Sequence, residues 1–92
     1  METRKLYRIL VSGRVQGVGF RWSAAREAKI HGVTGYTKNL SDGSVYIEAE
    51  GTAEQLDAFL AWCRIGPGIA HVDSVKVSEY PPAGYYDFRI DH

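Results

Sequence analysis

The segment K-L-Y-R-I-L-V-S-G, residues 5–13, alternates like an extended chain, with Tyr7, Ile9 and Val11 on one side and Leu6, Leu10 and Ser12 on the other. Apolar groups on both sides predict a strand inside a sheet rather than at its rim. From Arg21 to about His31 the sequence R-W-S-A-A-R-E-A-K-I-H turns to helix formers, and Gly32 stands where a glycine commonly ends a helix. Ala24 and Ala28, four apart after Phe20, let this helix lie close on a sheet. V-T-G-Y-T-K-N and V-Y-I-E-A-E are extended runs joined through S-D-G-S, and an Asp-Gly pair between such runs is a strong hairpin signal.

Thr52 opens T-A-E-Q, a capping box with Gln55 at the third helical position, and Leu56, Phe59, Leu60 and Cys63 follow as one apolar stripe. Gly66 and Pro67 stop that helix. H-V-D-S-V-K-V-S-E-Y reads as a fourth strand with Val72 on one face and Val75 and Val77 on the other, ended by Pro81-Pro82. Y-Y-D-F-R-I reads as a short last strand with Tyr86, Phe88 and Ile90 on one side. The order βαββαβ predicts an α+β, ferredoxin-like sandwich: one antiparallel sheet with two helices on one face, in a single domain over residues 1–92.

Composition narrows the functional classes. Apolar residues at 45% and charged residues at 24% fit an ordinary globular chain, and no apolar run is long enough to cross a bilayer. Eleven basic and eleven acidic residues cancel, so no global charge recruits nucleic acid or a membrane surface. Any anion must be caught by local geometry. Cys63 is the only cysteine and the N-terminal segment is too polar for a secretory signal, which predicts a cytoplasmic setting. His31, His71 and His92 lack metal-ligand spacing, so no metal site is expected from them. Cys63 belongs to the core stripe rather than to chemistry. A monomer is the default, with the free edge of the fourth strand and the C-terminal tail as the association surface otherwise.

The candidate chemistry lies in G-R-V-Q-G-V-G-F-R, residues 13–21, between the first strand and the first helix. A helix N-terminus offers unpaired amides and a favourable dipole to an anion, and glycines let successive amides curl inward as a nest. The nucleotide loop G-x-x-x-x-G-K-[ST] is absent, and the dinucleotide pattern fails because Trp22 stands where its third glycine belongs. A small phosphate is the expected guest. Arg21 has two readings: an ordinary solvated helix-start residue, or a planar fork for two phosphoryl oxygens. A cation in the first helical turn opposes the dipole, which favours an anion nearby. Gly35, Thr37 and Asn39 share a strand face, and Asn39 reads either as a turn former or as a side chain projecting from the strand end.

V-S-G-R-V-Q-G-V-G-F-R, residues 11–21, and G-Y-T-K-N-L-S-D-G-S-V-Y-I-E-A-E-G, residues 35–51, resemble the paired signatures of the acylphosphatase family. The resemblance extends over nearly the whole chain. It implies hydrolysis of acyl phosphates to carboxylate and inorganic phosphate, without metal or cofactor. In that family the arginine of the first motif, here Arg21, binds the phosphoryl group together with the loop amides, here Val15, Gln16, Gly17, Val18, Gly19 and Phe20. The asparagine of the second motif, here Asn39, positions the attacking water. Thr37 departs from the Ala, Val or Cys usual at its place.

Arg21 and Asn39 exchange no proton near neutrality, so a site built on them needs a substrate with a good leaving group. A carboxylate with a pKa of about 4 is one, and an alkoxide is not. Two rivals follow from the fold. Acylphosphatase-like domains also occur inside larger maturation enzymes as binding modules, and the end of the chain just after the last strand, at His92, leads to the expectation of a stand-alone enzyme instead. RNA-recognition modules share the element order, but Tyr46, Glu48 and Glu50 on one face of the third strand would repel a phosphate backbone.

Overall fold

The computed structural model describes residues 3–92. The elements run β1 (Arg4–Arg14), α1 (Phe20–His31), β2 (Thr34–Asn39), β3 (Val45–Thr52), α2 (Ala53–Cys63), β4 (His71–Tyr80) and β5 (Phe88–Ile90). The sheet order is β4-β1-β3-β2-β5. β1 is interior, as its two apolar faces require, pairing antiparallel with both β3 and β4. The expected ferredoxin-like order holds, and β5 extends the antiparallel sheet by pairing with β2 in parallel.

Registers align side chains into rows across the sheet. One row runs Val77, Ile9, Ile47, Thr37, Ile90. The next runs Val75, Val11, Val45, Asn39, so Asn39 ends a row at the edge of the core. Ile9, Val11, Val45, Ile47, Phe20, Ala24, Ala28, Leu56, Phe59 and Cys63 form the buried core between the sheet and the helices. Burial pushes the Cys63 thiol well above its ordinary range, despite the nearby Arg64, which suits a packing role.

Two strand readings need correction. Val72 and Val75 both pack on the core rather than on opposite faces. The register shifts between Ser12 and Gly13, where Ser74 and then Val72 are the partners, so Asp73 is an extra residue on β4. Such a bulge turns the side-chain alternation over. Tyr86 is 99% exposed instead of joining Phe88 on the core face, because β5 begins only at Phe88.

On the helix-free face, the third-strand carboxylates are held by local donors. Glu50 is buried and accepts the amides of Ala83 and Gly84 at 2.7 and 2.8 Å. Glu48 accepts the hydroxyls of Tyr46 and Tyr85, each at 2.6 Å, with the Arg8 guanidinium 3.6 Å away.

Candidate active site

The β1–α1 loop is fixed by its side chains and left open by its backbone. Val15 and Phe20 are buried, Phe20 lying 5.2 Å from the Trp62 ring centre, and Val18 packs against the core. These three contribute only main-chain groups to any ligand. Gly17 and Gly19 have φ of 74° and 76°, while no residue other than glycine has positive φ, so the sign of φ alternates from Gly17 to Phe20. That alternation turns successive N–H groups to one side. Among the described residues, the amides of 16–22 find no acceptor in the protein; the first helical bond is from Ser23 to the Gly19 carbonyl, at 3.0 Å.

The two helix N-termini differ in this respect. α2 carries the full capping box, with Thr52 and Gln55 each satisfying the other's amide, and Glu54 in its first turn. α1 has Gly19 at its cap, no side-chain cap and no acid in its first turn. Its positive end is uncompensated and faces the cavity.

Gln16 plays a part that the sequence reading missed. Its side-chain amide donates to the carbonyls of Leu40 and Ser44 at 2.7 and 2.9 Å. This side chain therefore ties the loop to the hairpin that begins just after Asn39, and only its backbone N–H remains for a ligand. Two hydrogen bonds thus set the distance between the two motifs.

Arg21 donates from Nη1 to the Asp91 carbonyl at 2.8 Å, and the Asp91 amide donates to Thr37 at 2.8 Å. The contact that holds the guanidinium is a neutral carbonyl on the chain just after β5. No ion pair to Arg21 forms among the described residues. A guanidinium has five N–H groups, so most of its donors stay available.

A cavity of about 290 Å³ is lined by Val15, Gly17, Gly19, Phe20, Arg21, Trp22, Asn39, Ile90 and His92. The structure thus brings both motifs to one place: loop glycines, Arg21 and Asn39. Gln16 and Val18 are not among its lining residues. Trp22, Ile90 and His92 are additional walls that no local pattern marked. Thr37 stays below, fully buried, with its hydroxyl unpartnered and no hydrogen bond to Asn39. Among the described residues no group of three or more His, Cys, Asp or Glu converges to hold a metal, and no helix is long and apolar enough to cross a membrane.

Comparison with known proteins gives the same direction. The sequence profile of the Acylphosphatase family matches residues 7–90. An acylphosphatase of Methylococcus capsulatus is 51% identical over 82 residues, 89% of each chain. The crystal structure of acylphosphatase from Bacillus subtilis superposes with a TM-score of 0.93 at 38% identity, covering 96% of this chain and 99% of that one. HypF of T. kodakarensis contains a similar unit, with a TM-score of 0.82 at 36% identity, matching all of this chain and 12% of that one. From motif, fold and relatives together, the chain belongs to the acylphosphatase family and is an acylphosphatase enzyme.

Proposed function

We propose that the chain hydrolyses the carboxyl–phosphate bond of acyl phosphates by direct in-line attack of water. The nest of loop amides from residues 15–20 and the Arg21 guanidinium hold the phosphoryl oxygens, and the Asn39 side-chain amide orients the water. The observation that carries this reading is the shared cavity: an uncapped helix start, an unneutralised cation and the strand-end amide line one space.

The chemistry fits those groups. Loose phosphoryl transfer needs alignment and charge stabilisation more than covalent help. Preset amides and a fixed guanidinium supply both without reorganising. The carboxylate leaves unprotonated, so no general acid is required, and the water loses its proton to solvent as the P–O bond forms.

Hydrolysis of benzoyl phosphate with a chelator present tests the reading directly. Arg21→Ala lowers turnover by on the order of 10²–10³ and relieves inhibition by inorganic phosphate. Asn39→Ala lowers turnover while phosphate inhibition persists, because it removes an interaction with the water and not with the product. Phosphate inhibition untouched in Arg21→Ala, or full turnover in Asn39→Ala, rules the assignment out.

A further inference from the structure

We propose that the open groove beside the phosphate cavity is the acyl subsite, and that it selects acyl phosphates with an apolar body and a negative charge at the far end. The inference rests on the function proposed above. The groove encloses about 500 Å³ and is lined by Trp22, Ala25, Arg26, Lys29, Ile30 and Ile90.

Continuity with the cradle is the first argument. Trp22 and Ile90 line both cavities, whereas Asn39 lines only the cradle. In-line displacement sends the leaving carboxylate away from the attacking oxygen. An acyl group leaving the phosphoryl site on the side away from Asn39 passes between Trp22 and Ile90 into the groove.

The lining gives the chemistry. Residues 22, 25, 26, 29 and 30 form one face of α1, running from its N-terminus toward its C-terminus. Trp22 and Ile30 are 63% and 62% exposed, large apolar groups left open to whatever fills the groove. The Arg26 guanidinium carbon lies 6.0 Å from the Trp22 ring centre. Among the described residues, neither Arg26 nor Lys29 forms an ion pair, and the groove has no acidic wall. Glu27, on the same helix, is instead turned to His31 at 3.8 Å. The helical rise places Arg26 about 6 Å beyond Trp22, roughly the length of a benzene ring with its para substituent. An apolar body against Trp22 and Ile90 with an anion at Arg26 matches both the walls and the charge.

The test compares kcat/KM for acetyl, benzoyl and 4-carboxybenzoyl phosphate in the wild type, Trp22→Ala and Arg26→Gln. Both residues are exposed, so neither substitution threatens the core. Trp22→Ala is expected to reduce the benzoyl-to-acetyl ratio about tenfold, the effect of uncovering part of an aromatic face. Arg26→Gln is expected to reduce the 4-carboxybenzoyl-to-benzoyl ratio about threefold at low salt, with the difference fading as salt rises. An unchanged first ratio, or an unchanged second one, overturns the subsite while leaving hydrolysis itself intact. A wild type that cleaves none of the three overturns the proposed function instead, and the subsite with it.

Discussion

Gln16→Ala separates the geometry of the site from its chemical groups. The substitution removes two hydrogen bonds, at 2.7 and 2.9 Å, between the phosphate loop and the hairpin after Asn39. Both carbonyls keep another partner, since Gly43 donates to Leu40 at 3.2 Å and Leu40 donates to Ser44 at 2.9 Å. No buried acceptor is therefore orphaned, and the cost is that of two neutral bonds, about 1–2 kcal/mol together. For a domain of this size that lowers Tm by roughly 5–15 °C. The catalytic cost is larger than this loss implies. On the proposed mechanism, loss of the tie leaves the Asn39 amide and the nest no longer set against each other, and displacement of about 1 Å costs on the order of 100-fold in rate. kcat on benzoyl phosphate should then fall about 10- to 100-fold, while inhibition by phosphate, assigned above to the loop and Arg21, should change little. Thermal unfolding and steady-state kinetics on the same sample decide the matter. A lower Tm with kcat within twofold of wild type shows that the tie is merely structural, and an unchanged Tm shows that the bonds carry nothing.

Thr37→Val should stabilise the fold by about 1 kcal/mol, because the hydroxyl is buried without a partner in a row between Ile47 and Ile90. A Tm rise of about 4–8 °C with unaltered kcat is expected, and a drop in either shows that the hydroxyl has a partner after all. Burial alone would raise the Glu48 pKa, but the hydroxyls of Tyr46 and Tyr85 together with Arg8 outweigh it and hold the carboxyl below its ordinary range. A depressed folded value contributes stability that is present above the unfolded pKa and lost as pH falls through the folded one. Denaturant midpoints should therefore decline below about pH 4.5, and Glu48→Gln should flatten that decline; an equally steep acid limb in the variant assigns it to other carboxylates.

Much of this site was legible because its chemistry is local. G-R-V-Q-G-V-G-F-R holds the nest, the helix start and the cation within one continuous stretch, and Asn39 stands at a strand end that the Asp-Gly hairpin marks. Gln16 was counted among the loop residues for its amide, yet its side chain reaches carbonyls 24 and 28 positions away. Nothing in the spacing could reveal that. The bulge at Asp73 was hidden for a related reason: V-D-S-V keeps its apolar positions an odd distance apart, and only pairing with β1 adds the extra residue that returns both valines to one side.

The acyl groove was least visible, since its far wall depends on the weakest sequence signal in the chain. β5 is three residues long, and its parallel pairing of Ile90 with Thr37 is what brings Ile90 opposite the start of α1. The same pairing delivers the Asp91 carbonyl to Arg21 and its amide to Thr37. A strand too short for any periodicity thus positions both the Arg21 guanidinium and the surface beside it. This explains why a site of few chemical groups needs the whole sheet: the phosphate loop supplies donors, but their aim is set by a hairpin and a C-terminal strand that meet the loop only in three dimensions. It also separates two kinds of substitution. Changes at Arg21 or Asn39 delete a group, whereas a change at Gln16 leaves every reacting group present and alters only how Asn39 stands against the loop, so Gln16→Ala is expected to resemble Asn39→Ala in losing turnover with phosphate affinity retained, while Arg21→Ala loses both.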